Sequence, residues 1–391
     1  MEHKDGRRLF LGEAPSANLD FLRSVAVLLV LAQHLSRRLH VFYLAWIPTS
    51  CLGLFGVLLF FVHTCLVLMH SMQRSGLTGM PLLKNFYTRR FFRIYPLAVL
   101  IVLAALAFHL DSDINGIPGL SQGAFPGKTV LISNLLLVQN LFLSQSVVNV
   151  LWSLPFELQM YIFLPFLFFW VRRGRAFWAL IGLWVFSVFA ALLQVQIHGL
   201  ERLSFLHFVP NFLPGVLAFA LPRTSRIRSS FWPIFVLSLV TVFTFCPTPA
   251  AGWLLCLILG LCIPQFTDIA TPWLCRISHE IATYSYGIYL GHQFCIWFAL
   301  GVLARHSAWL RIPVLLLLLL TTPVLLYHAV ERPMIRVGVR LANRLSTVRT
   351  KRDAGPTPIP VLRFENHPEP AVQATNMRNL SVPDASQLSD L

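Results

Sequence analysis

Apolar residues fall into ten runs that are nearly free of charge, at roughly 19–38, 51–71, 89–110, 150–171, 176–196, 204–221, 231–246, 250–265, 281–304 and 311–331. Each approaches the twenty or so residues a helix needs to cross about 30 Å of hydrocarbon. The pattern predicts an all-α, polytopic membrane helical bundle of about ten transmembrane helices. A weaker run at 129–144, TVLISNLLLVQNLFLS, is interrupted by Ser133, Asn134, Gln139 and Asn140. The distribution of Lys and Arg decides whether it crosses. With ten crossings, a cytoplasmic N-terminus and 129–144 left outside or re-entrant, 22 basic residues lie inside and six outside. Counting 129–144 as a crossing puts Arg172–Arg175 and Arg223–Arg228 on the wrong sides, so both termini are expected in the cytoplasm.

Composition agrees with this picture. The 391-residue chain is 56% hydrophobic and 12% charged, whereas about 25% of a soluble domain is charged. Topology accounts for most of the net charge of +15, so nucleic acid is not expected as a partner; the lipid bilayer is. The seven cysteines lie in or beside apolar segments without a C-x-x-C pair. They read as small apolar side chains, and no metal site is predicted. Residues 1–18 are polar, without a cleavable signal, and are expected as a cytoplasmic segment. The membrane domain is placed at 19–338. Residues 339–391 read as a basic juxtamembrane stretch and, after about 353, a proline-dotted disordered cytoplasmic tail. Arg outnumbers Lys by 27 to 4, a hint of a GC-rich bacterial source and hence of the cytoplasmic (inner) membrane.

Ionisable residues inside apolar runs are functional candidates by default. Arg23 and His34 stand eleven residues apart in LDFLRSVAVLLVLAQHL. Eleven steps return a helix to nearly the same face and separate the two by roughly 16 Å. Glu157, in LWSLPFELQMYIFLP, is the clear intramembrane carboxylate. It is expected either to orient His34, since an imidazole acting as a base needs an acceptor on its other nitrogen, or to bond only with Trp152, Gln159 or Tyr161. In YTRRFFRIYP, Arg90 and Arg93 share a helix face and Arg89 flanks them. This cluster is either a stop-transfer charge group or a cytoplasmic phosphate clamp, for which planar guanidinium donors are suited. Glu331 is expected to pair with Arg90 or Arg93 or to be an interfacial charge. His292 lines a cavity or hydrogen-bonds within it; Tyr286 and Tyr289 are i, i+3 neighbours that read as packing residues; His63 reads as core. Together these residues suggest a phosphorylated carrier held at the inner face, with a long arm such as pantetheine reaching past Arg23 toward His34.

The same residues match a family. Arg23…His34 resembles the R-x10-H opening motif of the acyltransferase-3 family of integral membrane O-acyltransferases. GVLLFFVHTCLV at Gly56–Val67 looks like its second-helix motif, Arg90-Phe-Phe-Arg93 its R-x-x-R, LWSLPFELQMY its L-W-S-L-x-x-E-x-Q-F-Y, SYGIYLGH its S-Y-S-L-Y-L-x-H, and VERP its terminal E-K-P. The match runs in order over 19–338 and makes that stretch the acyltransferase domain. The resemblance implies transfer of an acyl group, often acetyl, from cytoplasmic acyl-CoA to a hydroxyl of a carbohydrate or lipid-linked glycan. Acyl-CoA is then a substrate, and no permanently bound cofactor is expected. It also implies His34 as base, Arg23 as its donor-side companion, Glu157 in support, and Arg90 and Arg93 on CoA with Arg89 and Glu331 beside them. Trp152, His292 and Tyr286 are assigned to the acceptor. The chain departs from the family at Leu58, where an acid is usual, at Thr64-Cys65 in place of Ser-Gly, and at Ala98 in place of a frequent aromatic. An alternative is a transporter or flippase relaying protons or substrate through Arg23, His34 and Glu157. A third is a scaffold or sensor acting through the 353–391 tail.

Overall fold

The computed structural model describes residues 16–110, 125–174 and 177–353, with side chains to 346. Most of the apolar runs become helices: α1 (Ala17–Arg38), α2 (Leu52–Ser75), α3 (Gly79–Ala107), α5 (Leu154–Val171), α6 (Phe177–Gln196), α7 (Val209–Ala220), α8 (Trp232–Phe245), α9 (Pro249–Cys262), α10 (Pro272–Trp297) and α11 (Ala308–Leu326). Among the described residues, seven helices are long and apolar enough to cross a membrane; two shorter apolar helices span Ser229–Phe245 and Pro249–Gln265. Outward faces carry large apolar side chains such as Trp178, 79% exposed on α6, and Leu320, 72% exposed on α11. A soluble monomer rarely exposes apolar patches of that extent; here they suit lipid. The chain forms an all-α membrane bundle.

Close helix contacts use small residues, as is common between membrane helices. A Cβ on Gly56 of α2 would meet the Ala26 carbonyl oxygen of α1 at 2.6 Å, and one on Gly215 of α7 would meet the Val62 carbonyl oxygen of α2 at 2.2 Å. On its other side α1 packs along α10, pinned by Ser24 Oγ donating to the Ser278 carbonyl (2.8 Å) and by an Asp20–His279 contact of 2.9 Å. The end of the bundle where α1 begins is called the near end below, and the end where it finishes the far end.

The elements differ from the hydropathy pattern in three places. The weak run at 129–144 supplies only α4 (Lys128–Leu135), about 12 Å long and too short to cross. Its polar residues stitch the loop that follows. Asn134 Nδ2 donates to the Gln145 carbonyl (2.8 Å), Val147 N to Asn134 Oδ1 (2.9 Å), Gln139 Nε2 to the Leu151 carbonyl (2.9 Å), and Gln159 Nε2 to Asn140 Oδ1 (3.0 Å). The chain then turns through a 3-10 segment, Asn149–Ser153, into α5. Second, α3 and α10 begin about ten residues earlier than their apolar runs. Residues 79–88 are too polar for a hydropathy pattern but still bury Leu82, Asn85 and Phe86 at helical spacing. Third, the last run does not stop near 331. A π-helical turn, Tyr327–Glu331, leads straight into α12 (Arg332–Asp353), which lies along α3. Gly338, Ala342 and Ser346 face inward, and Arg332, Arg336, Arg340 and Arg344 form an exposed row on a helix four residues apart. The expected boundary at 338/339 therefore falls inside a helix. The expected tail beyond Asp353 and residues 1–15 of the expected N-terminal segment lie outside the described residues.

Candidate active site

Two polar groups of side chains occupy the interior at different depths. Toward the near end, Arg90 and Arg93 of α3 converge with Arg23 of α1, Glu157 of α5 and Glu331. The π-helical turn carries Glu331 inward, where its side chain is fully buried and its Oε1 lies 3.1 Å from Arg93 Nη1. That settles the choice left open between Arg90 and Arg93. Glu157 accepts a hydrogen bond from the Tyr161 hydroxyl one turn further along α5, and Arg23, Arg90 and Arg93 lie close enough for their charges to act on its carboxylate. Three guanidiniums thus surround two carboxylates, which satisfies the rule that buried charge needs partners and leaves a net positive site. Tyr286 belongs to this group: its hydroxyl donates to the Ile94 carbonyl at 2.8 Å, and Glu331 and Glu157 act on it.

Beside this cluster a narrow crevice of about 10 Å³ lies between the end of α2 and the start of α3, lined by Ser71, Ser75, Asn85, Phe86, Arg89 and Arg90 among others. Guanidinium, amide and hydroxyl donors together suit an anionic ligand. Ser71, Ser75 and Asn85 escape a sequence reading because nothing in α2 or α3 alone marks the faces that line this crevice.

Toward the far end, the His34 ring faces the His292 ring of α10, with centroids 5.1 Å apart and planes inclined by 51°. His292 is 1% exposed. Its Nδ1 lies 2.9 Å from the Ile288 carbonyl oxygen, and its Nε2 is buried with no hydrogen-bond partner among the described residues. Further toward the far end, Cys295, Ala299 and Leu300 pack in an apolar cluster with Leu31 and Leu35. Gln33, next to His34, is engaged elsewhere, accepting from the Gly53 backbone N–H.

Tyr289 stands between the two groups. Its hydroxyl donates to the Val150 carbonyl (2.8 Å), so the Ser153 hydroxyl at 2.7 Å is its donor. Glu157 lies four residues below Ser153 on α5, and His292 three residues above Tyr289 on α10. At 1.5 Å per residue the carboxylate and the imidazole pair are about 10 Å apart along the bundle. No hydrogen bond, ion pair or ring contact joins Glu157 to His34 among the described residues. Of the two expected roles for Glu157, the structure shows the bond to Tyr161 and a setting among guanidiniums; the group facing His34 is another histidine.

Of the remaining expected residues, Trp152 sits in an aromatic cluster with Phe156 and Phe208, at centroid distances of 6.0 and 5.6 Å. His63 is buried at the α1–α2 contact, where Arg23 acts on it. Leu58 is buried against Gly252 of α9, so that position belongs to helix packing. Tyr289 and Tyr161 carry a signal that sequence spacing contains: each lies three or four residues from a candidate on the same helix face, His292 and Glu157. All seven cysteines are free.

A family model described as an acyltransferase domain, that of the acyltransferase-3 family, matches residues 16–328. No curated protein and no solved structure gives a significant match to the chain.

Proposed function

The chain belongs to the acyltransferase-3 family, and from that membership we propose that it transfers an acyl group, acetyl foremost, from cytoplasmic acyl-CoA to a hydroxyl of a carbohydrate or lipid-linked glycan, with His34 as general base. Membership makes it an acyltransferase, and its apolar helices make it an integral, multi-pass membrane protein. Adding α8, α9 and α10 to the seven long spans gives ten crossings. The excess of Lys and Arg on the near-end loops supports a cytoplasmic location for that end and for both termini, and our reading assigns the protein to a bacterial inner membrane.

One observation carries the reading: a guanidinium-rich site and an imidazole lie at different depths of one bundle interior, with Tyr289 and Ser153 between them. Arg89, Arg90 and Arg93 hold the phosphates of the donor at the near end. Glu157 and Glu331 hold those guanidiniums in place and offset part of their mutual repulsion. The pantetheine arm runs past Arg23, bringing the thioester to the level of His34. There His34 accepts the proton of the acceptor hydroxyl while the oxygen bonds to the thioester carbon. The C–S bond breaks, and the departing thiolate takes the proton back from His34.

The test uses purified full-length protein with acetyl-CoA radiolabelled in the acetyl group. Free CoA and labelled product are expected only with a hydroxyl acceptor present, and His34→Ala abolishes both while leaving expression and membrane insertion intact. Near-normal product from His34→Ala removes the base assignment. Transport of the acceptor without CoA release would favour the transporter reading.

A further inference from the structure

We propose that His292 is the positioning residue for His34: its Nε2 accepts a hydrogen bond from one His34 ring nitrogen and so aims the other at the acceptor hydroxyl. The proposal deepens the acyltransferase reading and rests on His34 being the base. A carbonyl oxygen can only accept, so the 2.9 Å contact with Ile288 fixes the proton of His292 on Nδ1. In a neutral ring this makes Nε2 a bare acceptor. That atom is buried and without a partner among the described residues, and an unsatisfied buried polar atom calls for an explanation.

Several polar groups near His34 are engaged elsewhere or can only donate. Gln33 is engaged by Gly53, the Ser36 hydroxyl by the Gln33 carbonyl, and Arg37, whose charge acts on His34, can only donate. The carboxylate of Glu157 is bonded to Tyr161 about two turns away along the bundle axis. With ring centroids 5.1 Å apart, modest rotation brings one nitrogen of each ring within a single hydrogen bond, and such contacts commonly tighten when substrate binds. The proton balance closes within the pair. His34 gains the hydroxyl proton on its substrate-facing nitrogen while its other N–H stays bonded to His292 Nε2, and the gained proton leaves with the CoA thiolate.

The experiment compares His292→Phe, which keeps a flat ring without an acceptor, with His292→Gln, whose side-chain oxygen reaches the position of Nε2. In purified full-length protein, His292→Phe is expected to lower kcat by about 100-fold, with the KM values for acyl-CoA and acceptor changed less than about twofold. His292→Gln should recover at least about tenfold of that loss. Combined with His34→Ala, His292→Phe should cause no further loss, because the two act as one unit. If His292→Phe does not fold, His292→Met tests the same prediction. A raised acceptor KM at unchanged kcat would make His292 a substrate contact, and unchanged kinetics would make it a bystander; either overturns the proposal. Retained activity in His34→Ala alone would instead remove the reading on which the proposal rests.

Discussion

Replacing Glu331 by Gln is the most direct probe of the near-end cluster, because it removes one charge and little volume. At 3.1 Å and an effective dielectric near 20, two unit charges attract by about 5 kcal/mol. Desolvating a buried carboxylate offsets several kcal/mol of that. Removing only the carboxylate is different, because Arg93 stays behind without Glu331, and breaking a buried pair in this way costs roughly 3–5 kcal/mol. Arg93 is 23% exposed and still feels Glu157, which keeps the expected loss near the lower end, about 3 kcal/mol, or on the order of 100-fold in the folding equilibrium. Glutamine does not rescue by hydrogen bonding, since neither Glu331 oxygen makes an aligned hydrogen bond in the native structure. Unfolding by detergent titration in mixed micelles measures the loss. Adding Arg93→Met to Glu331→Gln should recover at least about 1 kcal/mol relative to the sum of the single variants. A Glu331→Gln protein within about 0.5 kcal/mol of wild type, or strict additivity with Arg93→Met, refutes the ion-pair argument.

Arg90→Ala together with Arg93→Ala is expected to raise the KM for acyl-CoA by more than about tenfold, since charge-assisted phosphate contacts are strong, and to flatten its dependence on salt; unchanged donor affinity by equilibrium dialysis excludes the clamp. Tyr289→Phe removes a hydroxyl that satisfies both Val150 and Ser153. It should cost about 1–3 kcal/mol and lower kcat more than either KM; a stable, fully active variant means the hydroxyl only fills space. Gly56→Ala places a Cβ 2.6 Å from the Ala26 carbonyl oxygen. It should destabilise the bundle by about 1–3 kcal/mol, read as a lower thermal midpoint in detergent, and a neutral result means α1 and α2 can separate freely.

The sequence by itself determined what depends on local pattern. Run length set the all-α class and most helix positions. Spacing put Arg23 with His34, and Arg90 with Arg93, on common faces, and the distribution of Lys and Arg left 129–144 out of the crossings. Those features follow from helical periodicity and the thickness of a bilayer, which act over tens of residues at most. Tertiary structure decided which faces meet. Ser153 and Tyr289 are 136 residues apart in the chain, and no local pattern carries that pairing. Glu157 was legible as a buried carboxylate but not as a neighbour of the guanidiniums, because its depth depends on the 3-10 segment and stitched loop that delay the start of α5. Glu331 reaches Arg93 through a π-helical turn, which shifts the helix register by one residue, and α12 continues because α3 offers a face to receive it. The neighbour of His34 was decided the same way: α10 runs beside α1 in the bundle, and packing brought a second imidazole to face it, where the sequence had offered Glu157 as one of two alternatives.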